Sequence, residues 1–260
     1  MNKLLLIGIP LLFLNSCKKQ VKETTTISEK EPEKQEAVIA KPIQRNTSIS
    51  LDTTFARQLS EKEISSIFTR RREFKLGISN DIFQAYSYKD KTGEYYLALT
   101  DHRKTITEEK DTLYDNIYLV SVNNTKNQFK KRSSATDEID GDWETSIGYW
   151  NMYSEISDID NDSIVDLILV YGTTGQDMYN DGKAKIMIYH NNKRVSIKHQ
   201  NSDYDGRLTK INSKFYSLPE SIQNAVKDKM KLMVKNGHAV FTEDWEKKMA
   251  NDNATRLEDL

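Results

Sequence analysis

The sequence predicts an α+β fold that is mainly β: an antiparallel sheet domain with a short N-terminal helix and a longer C-terminal one. Three observations point there. Between Ile82 and Lys198, short runs of β-branched and aromatic residues recur, the composition that suits a pleated, half-buried surface. Turn chemistry separates many of them, as Asp90-Lys91-Thr92-Gly93, Asn123-Asn124, Asn180-Asp181-Gly182 and Asn191-Asn192-Lys193. Apolar residues at helical spacing stand before and after this stretch, following Ser60 and Ser217. No repeat of fixed period is present, so a propeller of equal blades is not expected.

Taken in order, Ser60-Glu61-Lys62-Glu63 has capping-box spacing and is followed by Ile64, Ile67 and Phe68, which predicts a helix from Glu61 to about Arg72. Strands are expected at Ile82 to Tyr88, Tyr95 to Thr100, Ile117 to Val122, Tyr149 to Ile156, Leu167 to Tyr171, Ala184 to Tyr189 and Arg194 to Lys198. In the Tyr149 strand, Tyr149 and Tyr153 would share one face and Trp150 would point to the other. The clearest hairpin joins Lys185-Ile186-Met187-Ile188-Tyr189 to Val195-Ser196-Ile197 through Asn191-Asn192. Ser217, Pro219 and Glu220 open a helix that carries Ile222, Val226, Met230 and Met233 toward the core, and Gly237 closes it. The globular domain is expected over 51–245, with residues 246–260 a polar tail that frays or forms a loose helix.

The N-terminal segment has the look of a processed leader. Lys3 supplies a positive start, Leu4 to Leu14 supplies about eleven mostly apolar residues, and small Ser16 precedes Cys17, the only cysteine of the chain. The apolar run is too short to span a bilayer. Leu14-Asn15-Ser16-Cys17 resembles a bacterial lipobox, with Asn15 larger than is usual at its position. That resemblance implies a signal peptide over 1–16, a lipidated Cys17 and a location at the outer membrane or cell surface. Two or more acyl chains hold a protein stably on a bilayer where one does so only marginally. Residues 17–50 then read as lipid site and tether, because Lys, Glu, Thr, Gln and Pro dominate and cannot bury enough surface to offset ordering entropy. As a flexible coil this stretch reaches roughly 30 Å.

Without Cys17 the domain has no thiol, so disulfides and cysteine chemistry are excluded from it. The formal net charge is -1 with acids and bases interspersed, which gives no basic field for nucleic acid. Stability must come from packing or a bound ion.

Ser157-Asp158-Ile159-Asp160-Asn161-Asp162-Ser163-Ile164-Val165-Asp166 is the strongest chemical constellation, with carboxylates at loop positions 1, 3, 5 and 9. Calcium takes six to eight hard oxygen ligands, and alternating Asp residues can wrap them around one ion while Ile164 adds its carbonyl. The loop resembles the Asp-x-Asp-x-Asp-Gly-x-x-Asp loops of EF-hand, dockerin and integrin-type β-repeat proteins. Ser163 replaces the turn glycine, and Leu169 stands where an EF-hand needs a bidentate Glu, which excludes a helix-loop-helix site and leaves the β-type version. Calcium is expected to be structural, the alternative being an acidic turn between strands. The flanking acidic stretches, Asp137 to Glu144 and Asp203 to Gly206, complete no ligand set and are expected to be solvated, though either could donate one oxygen.

Little in the chain announces catalysis. His102, His190, His199 and His238 lack the close helical spacing of a zinc protease and are expected at the surface or in turns. There is no Gly-x-Ser-x-Gly elbow and no Gly-rich phosphate loop. Asp residues two apart in a metal loop cannot flank a glycosidic bond, so a hydrolase would need distant acids. Trp143 and Trp150 are candidate sugar-stacking rings, set against the plainer expectation of a strand burying its aromatics.

The lipobox, the tether, Trp150 through Asp162 into Leu167-Ile168, the following hairpin and the closing helix ahead of Trp245 are together similar to a group of Bacteroidota surface lipoproteins described as surface polysaccharide biosynthesis proteins. Ser16-Cys17-Lys18-Lys19 at the lipid site looks like the same group. The resemblance implies a role in making or displaying lipopolysaccharide O-chains, with no catalytic residues to carry over. The expected partners are the membrane, through the anchor, and a surface polysaccharide or envelope protein. A glycan- or protein-binding surface module and an envelope polysaccharide hydrolase are the alternatives.

Overall fold

Strand-forming runs in this chain sort into two sheets, because one strand, Asp166–Thr174, is apolar on both faces and must be covered from both sides. The computed structural model describes residues 40–108, 111–141, 143–202 and 206–258. Cys17, the signal segment and most of the expected tether lie outside the described residues.

The elements run β1 (Ser50–Leu51), β2 (Ala56–Gln58), α1 (Glu61–Ile67), α2 (Arg70–Leu76), β3 (Ile82–Asp90), β4 (Gly93–Ile106), β5 (Thr112–Asn123) and β6 (Lys130–Glu138). They continue with β7 (Ser146–Tyr149), β8 (Glu155–Ser157), β9 (Asp166–Thr174), β10 (Lys183–His190), β11 (Lys193–Gln200), β12 (Leu208–Ile211), α3 (Glu220–Lys235), α4 (Trp245–Asn251) and β13 (Arg256–Glu258). Strands β2 to β6 form a five-stranded sheet in sequence order. The eight-stranded sheet is ordered β1-β8-β9-β10-β11-β12-β13, with β7 also on β9. Every pairing is antiparallel except β1 with β8. The mainly β, antiparallel α+β class therefore stands.

Alternation builds three cores. On β9, Ile168 and Val170 join Ile186, Ile197 and the α3 residues Ile222, Val226, Met230 and Met233 in one cluster. Leu167, Leu169 and Tyr171 point the other way and meet Tyr86, Leu97 and Leu119 of the five-stranded sheet. The outer face of that sheet, through Ala85, Ala98 and Val120, packs Phe68 and Leu76 beside α1 and α2. The order is thus helix, sheet, sheet, helix. Each fully buried large apolar side chain contributes about 1.5–3 kcal/mol relative to exposure, and the four apolar residues expected to face inward from α3 are all buried.

Local chemistry explains the elements and the departures from expectation. The Ser60 and Glu63 capping box is present in full, but the helix stops at Ile67 and a second begins at Arg70. Phe68, 2% exposed, leaves helical geometry to bury its ring, and Gly77 ends α2 in a left-handed conformation that glycine adopts freely. The β10–β11 hairpin turns at Asn191 and Asn192, both at positive φ, as a two-residue primed turn requires. The strand expected at Tyr149 to Ile156 is interrupted: β7 and β8 both pair with β9, and residues 150–154 between them bulge opposite Val170. Tyr149 therefore joins the inter-sheet core, whereas Trp150 and Tyr153 both enter the helix-side core, so Tyr149 and Tyr153 do not share a face.

Both expected domain limits are corrected. Ile49 is 3% exposed, and upstream Ile43 N–H donates to Tyr179 Oη at 2.8 Å, so residues 40–50 belong to the fold. At the other end α4 and β13 are ordered elements; β13 pairs with β12 and Leu257 is buried. The residues from 246 to 258 are thus no loose tail, because Leu257 and Met249 complete the α3 core.

Candidate functional site

The loop between β8 and β9 is folded by its own carboxylates. Asp158 accepts from the Asp162 and Ser163 amides, each at 2.9 Å, and Asp162 accepts from the Ile164 amide at 2.7 Å. Asn161 and Ser163 both hold positive φ, 59° and 63°, so the serine does adopt the left-handed turn that glycine would take without strain. One carboxylate oxygen from each of Asp158, Asp160 and Asp162 lies within 4.8 Å of the others. At an effective dielectric near 20 such neighbours repel by a few kcal/mol per pair, less where solvent screens them.

Asp166, the fourth expected ligand, opens β9 and is fully buried. Its Oδ2 accepts from the Ile159 amide at 3.1 Å, and His190 Nδ1 stands 2.9 Å from Oδ1. Asn191 Nδ2 lies 2.9 Å from His190 Nε2, so Nε2 accepts and Nδ1 carries the proton donated to Asp166. Burial pushes the Asp166 carboxyl up to about 6, against the opposing pull of His190. Asp160, Asp166 and His190 again offer one atom each within 4.8 Å, so Asp160 belongs to both groups.

The β3–β4 turn closes the loop from the other sheet. Asp90 Oδ2 accepts from the Val165 amide at 3.1 Å, the Lys91 amide donates to Ser163 O at 3.2 Å, and Lys91 Nζ donates to Asp162 O. The donor set suits a hard cation. Asp158, Asp160 and Asp162 could offer oxygens to one ion, Asp166 meets only Asp160 of these in the second group, and both nitrogens of His190 are committed to Asp166 and Asn191, which makes the histidine an orienting partner behind Asp166. Ile164 lies at the expected loop position, its amide held by Asp162.

No protein-family model, curated protein or solved structure matches this chain.

The remaining expected site residues separate. Trp150 is 3% exposed, its ring packed against Tyr153, Tyr179 and His238, so it offers no sugar-stacking face. Trp143 is half-buried, with Lys183 Nζ 4.8 Å from its ring centre. Two histidines overturn the surface expectation. His199 and His238 are buried, the first between Thr209 Oγ1 and Asn201 Oδ1, the second between Tyr153 Oη and Lys41 O. Only His102 is exposed, beside Asp115.

The stretch from Asp137 to Glu144 is not simply solvated. Glu144 is buried; its carboxylate accepts from Thr173 Oγ1 at 2.7 Å and from the Asp140 amide, with Lys183 Nζ at 3.3 Å. With Asp137 and Asp140 it walls a cleft of about 450 Å³ whose floor is the open face of β10, β11 and β12. Sequence reading missed this cleft. The signal available was the alternation of Lys183, Lys185 and Lys198 on strands whose other face is apolar. Asp142, Asp203 and Asp205 lie outside the described residues.

Proposed function

We propose that this chain is a lipid-anchored protein of the outer membrane or cell surface, an accessory to surface polysaccharide biosynthesis or display that does no catalysis itself, with a domain stabilised by calcium. The anchor rests on the lipobox at Cys17, and the polysaccharide role rests on the likeness to Bacteroidota surface lipoproteins. The observation that carries the calcium reading is the convergence of Asp158, Asp160 and Asp162 within 4.8 Å, with buried Asp166 beside them. Because the Asp90–Lys91 turn is hydrogen-bonded to the same loop, an ion there would fix the two sheets to each other as well as the loop itself. The open cleft favours a second reading, a glycan- or protein-binding module.

Thermal melting of the full chain in excess calcium and in chelator tests the ion. At a hundredfold excess over Kd a ligand adds about 2.7 kcal/mol, which for a domain of this size is roughly 5–10 °C. Asp160→Ala should abolish the shift. Identical melting of the native chain in calcium and chelator overturns the calcium reading, and an unmodified, uncut Cys17 in the mature protein overturns the anchor. A clean deletion that leaves the polysaccharide profile unchanged removes the polysaccharide role.

A further inference from the structure

The face of the eight-stranded sheet opposite α3 carries one continuous row of cations. In register across four strands stand Lys185 on β10, Lys198 on β11, Lys210 on β12 and Arg256 on β13. Directly paired residues project from the same face, and like charges so placed destabilise a sheet. The flanks are compensated: Lys185 pairs with Asp137 at 3.2 Å and Arg256 with Glu258 at 2.7 Å. The centre is not. Lys198 and Lys210 are exposed, lie across from one another and have no hydrogen-bond or ion-pair partner among the described residues. Both open into the cleft of about 450 Å³, where the buried amide nitrogen of Gln200 also lacks a partner among the described residues.

We propose that this cleft binds an extended acidic polysaccharide, whose carboxylates pair with Lys198 and Lys210 as the chain runs across the strands. The spacing favours a glycan. Neighbouring strands lie about 4.8 Å apart, close to the length of one sugar residue, so Lys198 and Lys210 stand at a spacing that matches carboxylates on neighbouring sugars. Gln200 adds a donor for a sugar oxygen after a rotamer change. Nucleic acid is disfavoured, since single strands are held by several stacking aromatics and, among the described residues, the cleft lining offers only Tyr171 as an aromatic ring besides buried His199, with the Tyr171 hydroxyl committed to Asp137. A flat bilayer is disfavoured because Lys198 and Lys210 open into a walled cleft, which a single narrow chain can enter and a planar surface cannot.

The inference rests on the polysaccharide reading for its choice of ligand class, yet it is tested on purified protein, independently of any deletion phenotype. Binding of the full chain in detergent is measured by calorimetry to a hexasaccharide of glucuronic acid, to neutral cellohexaose, to glycerol 3-phosphate as a soluble lipid headgroup and to inorganic phosphate. The expected result is binding of the acidic hexasaccharide alone, weakening with salt and falling at least tenfold in the Lys198→Gln, Lys210→Gln double variant. Lys235→Gln, at the end of α3 on the opposite side of the sheet, should bind as the native chain does. Both variants should melt no lower than the native chain, since the double change removes a repulsion. Equal binding of the neutral hexasaccharide, binding only of glycerol 3-phosphate or inorganic phosphate, no binding at all, or full binding by the double variant would each overturn the assignment. A failure of that kind leaves the polysaccharide phenotype of a deletion strain to stand or fall separately.

Discussion

Ser163 concentrates the local tension of the acidic loop in one residue. At φ 63° it occupies the left-handed region, which costs a residue with a side chain about 1–2 kcal/mol relative to glycine. Ser163→Gly should therefore raise the melting temperature, in chelator as well as in calcium, by the equivalent of about 0.5–1 kcal/mol once glycine's greater unfolded entropy is counted. His199 gives a prediction of opposite character. Its Nε2 donates to Asn201 and its Nδ1 accepts from Thr209, so the neutral ring is fully satisfied, and burial pushes its pKa down to about 4. That value lies below the ordinary 6.5, so the unfolded chain takes up the proton first. The associated stability is complete above about pH 6.5 and drains away toward pH 4, by roughly 3 kcal/mol in all. His238, also lowered by burial, acts in the same sense. Asp166, raised by burial to about 6, acts in the opposite sense over the same range, so the test is the difference between chains: urea midpoints of the native chain should drop relative to those of His199→Gln as pH falls from 6.5 to 4. Neither buried histidine was legible in the sequence: His238 finds its partners far along the chain, at Lys41 and Tyr153, and His199, though bonded to nearby Asn201 and Thr209, is covered by the ring of distant Phe241.

At the scale of elements, legibility followed how much each strand or helix declares its own environment. The α3 stripe was readable because four residues at helical spacing are all buried against one sheet face. Met230→Ala should cost about 2–5 kcal/mol, read as a lower urea midpoint with an unchanged slope. The β10–β11 hairpin was readable because Asn191 and Asn192 specify its turn. By contrast β6, Lys-Lys-Arg-Ser-Ser-Ala-Thr-Asp-Glu, lies at the edge of its sheet, and its polar run gives no apolar alternation. The break between β7 and β8 was hidden for another reason. Aromatic residues occur throughout Tyr149 to Tyr153, and which core each ring enters is decided by the bulge opposite Val170. The acidic loop was legible residue by residue. Its support was not, since His190 and the Asp90–Lys91 turn reach it from two other hairpins.

For the whole molecule, the two sheets share one core, and the segment ahead of β1 is stitched across both. Arg45 grips Asp101 on β4 through two bonds of 2.8 and 3.0 Å, while Lys41 and Ile43 are held by His238 and Tyr179 on the other side. Removing residues 253–260 should destabilise the fold by several kcal/mol, because β13 and buried Leu257 go with them, and a lower melting temperature would register it. The parallel pairing of β1 with β8 has a mechanical consequence. A pull on the chain ahead of residue 40 would load first the Lys41 and Ile43 bonds, then the Arg45 pair, then the bonds of Asn151 to Thr47 and of Ile49 to Tyr86, and only afterwards the two-residue ladder of β1. Contacts met one after another in this way would yield in sequence, as stitches do, and the segment from 40 to 49 would lengthen under tension like a shock absorber before the load reached the sheets behind it.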